Sequence, residues 1–139
     1  MRLLKASLED NVAIQNGLTD YNIQVVRNLP RAEIHKLDFA LKSDQDTLIG
    51  GINAEYVNWG ILFISLLYID KQFRSHGYGS QLLEHVENLA REKGGHLAHT
   101  DTLEFQGKGF YLKHGYEIFG ILDDCPKGHK RFYLKKKLK

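Results

Sequence analysis

The stretch Arg74-Ser75-His76-Gly77-Tyr78-Gly79-Ser80 decides the fold because of what lies on either side of it. Before it, residues 61–69 are almost all apolar, which is typical of a central β-strand that is covered on both faces. After it, apolar residues recur at helical spacing through residues 82–90, with charged residues on the other faces. The stretch therefore predicts a loop that leads from a buried strand into an amphipathic helix.

A loop of this kind is suited to binding an anion. The first turn of a helix has four backbone N–H groups without helical partners, and the helix dipole adds positive charge there. Gly77 and Gly79 let the backbone approach a ligand closely, and Arg74 adds a permanent planar charge. The loop therefore predicts a phosphate or pyrophosphate site. An ordinary strand-to-helix turn is the alternative, and a P-loop does not fit because no Gly-Lys-Ser/Thr follows.

The neighbouring segments predict a mixed sheet. Short polar turns separate three strand segments before the loop, which indicates an antiparallel meander. The helix is expected to end at Gly94-Gly95, and the strand that follows makes a parallel crossover. A short helix over residues 105–114 and two final strands complete an α/β or α+β fold, with a mixed, mostly antiparallel sheet and helices on both faces. The predicted strands are residues 37–42, 48–57, 61–69, 97–103, 116–122 and 131–138.

The first 36 residues give weaker signals. Residues 3–6 are compatible with a short strand. Ser7 and Asp10 have the spacing of a capping box, which predicts a helix that closes near Thr19-Asp20. Pro30 argues against one long helix through residues 22–34.

Composition limits the class of protein. A length of 139 residues with 42% hydrophobic and 26% charged residues fits one domain over residues 1–139. No apolar run approaches the roughly 20 residues of a membrane span, so we expect a cytoplasmic protein with no membrane partner. The single Cys125 fits a reducing compartment. His96 and His99 point to opposite faces of a strand, so no metal site is expected.

The charges are unevenly distributed along the chain. Residues 127–139 hold seven Lys/Arg and no Asp/Glu, which leaves 12 basic and 17 acidic groups in the rest of the chain. A basic tail can bind nucleic acid, but only Phe132 and Tyr133 accompany this one and no stacking platform is evident. We therefore expect no nucleic-acid partner, and the net negative body is compatible with a cationic amine.

Two motifs together resemble the GNAT superfamily of N-acetyltransferases. The loop fits the family pattern Gln/Arg-x-x-Gly-x-Gly/Ala, and Phe110-Tyr111-Leu112-Lys113-His114-Gly115-Tyr116 fits Phe/Leu-Tyr-x-Lys-x-Gly-Phe/Tyr. The two matches occur in the family order, roughly 30 residues apart with a strand between them. The resemblance covers residues 37–138, and the Gly128-His129 ending is similar to a bacterial branch of small members. It implies two parallel strands that splay apart to admit the thioester of acetyl-CoA.

The resemblance also implies site residues. Tyr111 matches the tyrosine that contacts the cofactor and protonates the leaving thiolate. An amine like that of lysine, with a pKa of about 10.4, must lose a proton, so a base is expected. The candidate bases are Glu55, Asp101 and Glu104. The implied acetyl-CoA contacts are Leu67, Tyr68 and Ile69 for the pantetheine arm, and Arg74, Ser75, His76, Gly77, Tyr78, Gly79 and Ser80 for the pyrophosphate.

One position departs from the family pattern. Many relatives carry an asparagine seven residues before the tyrosine, where it bonds the pantetheine, and this chain has Glu104 there. Thr102 or Gln106 could take over that contact.

The resemblance implies an acetyl-CoA-dependent N-acetyltransferase. The acetyl group would pass to a primary amine by direct attack within a ternary complex, and a homodimer is possible. The acceptor would be a small-molecule amine. The alternative is a non-catalytic CoA- or nucleotide-binding regulatory module, which would bind acetyl-CoA without turnover.

Overall fold

Seven strands form one mixed sheet within residues 34–139. The computed structural model describes all 139 residues, in two compact units, Met1–Glu33 and Ile34–Lys139. The strands of the larger unit are β1 (Ile34–Lys36), β2 (Phe39–Lys42), β3 (Leu48–Val57), β4 (Ile61–Ile69), β5 (Leu97–Leu103), β6 (Glu117–Leu122) and β7 (Arg131–Lys137). They lie in the order β1-β3-β4-β5-β7-β6, and β2 also pairs with β3. Only β4 and β5 are parallel, so the predicted mixed α+β fold is confirmed.

Helix α2 (Tyr78–Glu92) builds the core against β3 and β4. Its buried face carries the stripe Leu82, Leu83, Val86 and Ala90, as the helical spacing predicted. Glu87 is buried as well, so the prediction that the charged residues lie on other faces is wrong there, because Lys136 pairs with its carboxylate. The helix ends as expected at Gly94, whose φ of 92° is in the left-handed region. Burial of this stripe against the sheet therefore positions the first turn of α2 at the end of β4. The sheet side of the core includes Ile52, Ala54, Leu62, Ile64, Ala98 and Leu134.

The parallel strands separate partway along their length. They pair from Ile61 opposite Leu97 to Ile64 opposite Thr100, and beyond that point β4 pairs with β3 alone and β5 with β7 alone. A β-bulge at Ser65 lies directly after the last pair. The buried Thr100 hydroxyl donates to the Ile64 carbonyl at 2.8 Å. A gap therefore opens between the carboxyl halves of β4 and β5.

The smaller unit contains helix α1 (Leu8–Val25). The capping box is confirmed, because Ser7 Oγ accepts from the Asp10 amide at 3.1 Å and the Asp10 carboxylate accepts from the Ser7 amide at 2.8 Å. The predicted end near Asp20 is wrong, since no glycine or proline interrupts the helix between there and Val25. The predicted strand over residues 3–6 is also wrong, because those residues make no strand pairing.

Some boundaries in the larger unit differ from the sequence prediction. Helix α3 (Lys108–Lys113) begins after a turn over residues 104–107, where the Gln106 side chain accepts from the Leu103 amide at 3.0 Å. Strand β1 lies in a region that the sequence left unassigned, and it pairs with the end of β3. No helix of the chain is both long enough and apolar enough to cross a membrane.

Candidate active site

The glycine-rich loop begins where β4 ends. A short 3₁₀ turn, Lys71–Phe73, leads into it, and Gly77 caps α2 with a φ of 81°. A side chain at Gly77 would meet no atom within 4 Å, so glycine is needed there for its backbone conformation. At Gly79 an added Cβ would lie 3.3 Å from the Phe110 ring, so a side chain there would push that ring aside by a few tenths of an ångström.

Arg74 is held at the carboxyl end of β4. Its Nε donates to the Ile69 carbonyl at 2.9 Å, which holds the guanidinium at the end of β4, three residues before the α2 cap Gly77. No side chain caps α2, so the amides of its first turn are available to a ligand. A fixed guanidinium beside uncapped helix amides fits a pyrophosphate group.

Two other loop side chains bond within the chain. His76 Nδ1 lies 2.7 Å from the Arg74 carbonyl and 3.1 Å from the Phe73 carbonyl. A carbonyl only accepts, so Nδ1 carries the proton and the imidazole braces the loop. Ser80 Oγ lies 2.8 Å from His114 Nε2, while His114 Nδ1 lies 2.8 Å from the Phe110 carbonyl. Ser80 therefore donates to His114, a residue that the sequence did not single out, and this bond joins α2 to α3.

The gap beyond the last parallel pair exposes one edge of β4. Leu67, Tyr68 and Ile69 pair with β3 on one side and have no strand partner on the other. Backbone N–H and C=O groups on an unpaired edge can bond an extended ligand such as an amide-containing arm.

Tyr111 lies at the point where β4 and β5 separate. It is 5% exposed, and its ring packs edge-on against the Tyr116 ring at 5.3 Å between centroids. Burial raises the pKa of Tyr111, and a hydrogen bond with the Thr100 side chain opposes that rise. The phenol is therefore protonated at neutral pH and can act as a proton donor.

Each of the three candidate bases lies in an ion pair. Glu55 on β3 pairs with Lys36 on β1. At the carboxyl end of β5, Asp101 pairs with Arg131. The structure thus brings two of the carboxylates to one end of β5 and leaves Glu55 on a different strand.

The third carboxylate, Glu104, pairs with a histidine. Its Oε1 lies 2.6 Å from His129 Nδ1. The sequence analysis did not single out His129 or Arg131 as a site residue. The one signal that involved His129 was the likeness of the Gly128-His129 ending to a bacterial branch of the family. No group of three or more His, Cys, Asp or Glu side chains is arranged to hold a metal ion.

The two side chains that could replace the missing asparagine contact are engaged in the turn before α3. Thr102 Oγ1 accepts from the Gly107 amide at 3.1 Å. Gln106 Oε1 accepts from the Leu103 amide and lies 3.5 Å from Thr102 Oγ1. Both side chains thus stabilise the turn that positions α3.

Comparisons with known proteins agree with this geometry. The model of the acetyltransferase (GNAT) family matches residues 12–116. Blasticidin-S acetyltransferase of Streptomyces morookaense is 31% identical over 120 residues, which cover 84% of this chain and 88% of that protein. The crystal structure of an acetyltransferase from Bacillus cereus ATCC 14579 has a TM-score of 0.87 at 30% identity and covers 99% of this chain and 97% of its own. An aminoglycoside 6'-N-acetyltransferase complexed with coenzyme A has the same fold, with a TM-score of 0.65 at 16% identity over 99% of this chain and 98% of its own.

Proposed function

The chain belongs to the acetyltransferase (GNAT) family. We propose that it transfers the acetyl group of acetyl-CoA to a primary amine of a small molecule, by direct attack in a ternary complex. Family membership makes the chain an acetyltransferase with acetyl-CoA as donor. One observation carries the finer proposal. The β4–β5 gap opens next to the glycine-rich loop and next to the buried phenol of Tyr111.

The donor would lie along the loop and the open edge of β4. The amides at the start of α2 and the guanidinium of Arg74 bind the pyrophosphate. Main-chain groups of Leu67, Tyr68 and Ile69 that face away from β3 would pair with the pantetheine arm, apart from the Ile69 carbonyl, which accepts from Arg74. Bound there, acetyl-CoA supplies the thioester carbonyl that the amine attacks.

Tyr111 would act as the general acid. Its phenol lies at the strand separation and keeps its proton at neutral pH because burial raises its pKa. A thiol and a phenol have ordinary pKa values of about 8.5 and about 10, and burial of Tyr111 widens that difference. The proton would therefore move to sulfur as the carbon–sulfur bond breaks. The same side chain would contact the thioester end of the donor.

The acceptor would be a small cationic amine. By its name, the Streptomyces relative acts on blasticidin S, which supports an antibiotic-like amine for this chain. An amine must be deprotonated before it attacks, and Glu55, Asp101 and Glu104 are the candidate carboxylates for that step or for assisting it. Asp101 and Glu104 lie at the carboxyl end of β5, where the strands separate. The basic tail supports no nucleic-acid role, because Lys135 and Lys136 in β7 pair with carboxylates of the same chain.

An amine panel tests the proposal. Purified protein is incubated with acetyl-CoA and with blasticidin S, polyamines, aminoglycosides or amino acids, and release of free thiol is followed. We expect saturable, amine-dependent thiol release with at least one small amine. Stabilisation by acetyl-CoA in a melting assay without thiol release on any amine would instead support the regulatory CoA-binding module.

A further inference from the structure

Glu104 and His129 form a carboxylate–imidazole pair beside the candidate active site. We propose that His129 is the general base that accepts the proton of the acceptor amine, and that Glu104 is a positioning residue that orients the imidazole. This inference rests on the proposed acetyl transfer, and it places the base on a residue that the motifs do not mark.

The contact between the two side chains sets the tautomer of His129. Glu104 Oε1 lies 2.6 Å from Nδ1 of the imidazole. An ionised carboxylate can only accept, so Nδ1 carries the hydrogen and the lone pair of the neutral ring lies on Nε2. Nε2 makes no hydrogen bond within the chain. The pair thus has the arrangement in which a carboxylate holds a histidine with its basic nitrogen outward.

The imidazole is also accessible to an incoming amine. The side chain of His129 is 49% exposed and that of Glu104 is 35% exposed. The ring of Phe105 packs edge-on against the imidazole at 5.2 Å between centroids. The aromatic contact and the carboxylate both hold the half-exposed imidazole, and its Nε2 makes no hydrogen bond within the chain.

Main-chain bonds place the pair next to the β4–β5 gap. The Glu104 amide donates to the Lys130 carbonyl at 3.0 Å, which extends the β5–β7 pairing into the loop that carries His129. Glu104 also begins the turn that ends at Gly107, and a Cβ on Gly107 would lie 3.6 Å from the Tyr111 ring. The turn over residues 104–107 thus contacts His129 through Glu104 at its start and lies next to the Tyr111 ring at its end.

The roles of the two residues complete a balanced reaction. The amine nitrogen forms a bond to the acetyl carbonyl carbon, and the bond between that carbon and the CoA sulfur breaks with its electron pair leaving on sulfur. The cationic amine first loses one proton to water. As the neutral nitrogen attacks, it gives a second proton to His129 Nε2, directly or through one water molecule, and the sulfur takes one proton from Tyr111. The products are the N-acetylated amine and free CoA thiol, and both side chains return to their starting states by exchange with water.

Kinetics of matched variants test the base. We expect His129→Gln to lower kcat by about 10²-fold, the usual contribution of a general base, while stabilisation by acetyl-CoA in a melting assay stays as in the wild type. Glu104→Gln should lower kcat by about tenfold, since the base remains but its orientation is lost. His96→Gln is the control, because His96 is exposed and lies before the opposite end of β5. Added imidazole should restore part of the turnover of His129→Ala.

The pH profile separates a chemical role from a structural one. Wild-type kcat/KM should fall at acid pH as one group becomes protonated, and this fall should be absent in His129→Gln. Besides Glu104, the charged groups of the loop are Asp123, Asp124, Lys127 and Lys130, and all are kept in both proteins. Lys130 lies 3.5 Å from Asp123, and Asp124 accepts from the Gly128 amide at 3.1 Å. Unchanged kcat in His129→Gln, or an unchanged acid limb, would overturn the proposal.

A direct measurement keeps this test independent of turnover. Long-range ¹H–¹⁵N spectra of histidine-labelled protein, assigned with His129→Gln, should show neutral His129 with its hydrogen on Nδ1, and Glu104→Gln should reduce that preference. A hydrogen on Nε2 in the wild type would overturn the proposal even if no acceptor amine were found. A wild type that releases no thiol with any amine contradicts the proposed function instead, so the two failures are distinct.

Discussion

At the scale of single residues, Gly77 precedes the first turn of α2 and has a backbone conformation that other residues rarely adopt. Its φ of 81° and the open space around it mean that a side chain there is strained but does not clash. Left-handed backbone costs a residue with a Cβ roughly 1–2 kcal/mol. We therefore expect Gly77→Val to reorient the first-turn amides and to abolish most of the stabilisation by acetyl-CoA in a melting assay.

Gly17→Ala is the matched control for that substitution. Gly17 lies inside α1, has no positive φ, and would meet no atom within 4 Å if it gained a Cβ. Alanine there should leave stabilisation by acetyl-CoA unchanged. If Gly77→Val behaves like this control, the loop does not bind the pyrophosphate.

Tyr111 gives a second prediction at this scale. Tyr111→Phe should lower kcat by at least about tenfold while acetyl-CoA affinity changes little, because only the proton donor is lost. The control is Tyr116→Phe, since the buried Tyr116 hydroxyl has no hydrogen-bond partner in the chain and its loss leaves the acid in place. Equal turnover of Tyr111→Phe and wild type would make Tyr111 a core residue only.

The raised pKa of Tyr111 also has a consequence for stability. The folded protein binds the phenolic proton more tightly than the unfolded chain, whose tyrosines have a pKa of about 10. The resulting stability is complete below about pH 10 and is lost as the pH rises toward the folded-state value. Denaturant melts above pH 10 should therefore show a smaller loss of stability in Tyr111→Phe than in the wild type.

At the scale of elements, a buried charge joins α2 to β7. Glu87 is 1% exposed, its carboxylate lies 2.7 Å from Lys136 Nζ, and Arg91 lies 3.8 Å away. Removing Lys136 leaves the buried carboxylate with only the more distant Arg91, so Lys136→Met should lower the free energy of unfolding by roughly 2–4 kcal/mol. Glu87→Gln combined with Lys136→Met should cost less than Lys136→Met alone in urea melts, and an additive result would show that the two charges do not interact.

The elements themselves were predictable to different degrees. Strands β3, β4 and β5 agree with the prediction to the residue, because each is an apolar or alternating run between clear turn signals. The bulge at Ser65 and the end of the parallel pairing at Thr100 were not readable from the residues, because pairing register depends on neighbouring strands. In α1 the capping box predicted the start, while the weak apolar stripe misplaced the end.

At the scale of the whole molecule, the uneven charge distribution is partly neutralised within the fold. The basic tail forms β7 and pairs with β5 and β6, with Phe132 and Leu134 buried. Four of the tail's seven basic side chains are paired with carboxylates of the acidic body. They are Lys130, Arg131, Lys135 and Lys136. A run that is basic in sequence is therefore a strand of the central sheet in the structure.

The sequence by itself determined the strand–loop–helix unit, the parallel crossover and the family, because these depend on local periodicity and on motifs a few residues long. The loop from Arg74 to Ser80 and the tyrosine motif around Tyr111 carried that information. Only the tertiary structure decided which residues meet across the fold: Ser80 with His114, Asp101 with Arg131, and Glu104 with His129. The physical reason is that ion pairs and hydrogen bonds between residues some 25–35 positions apart depend on strand register and loop geometry, which no local pattern in the chain encodes.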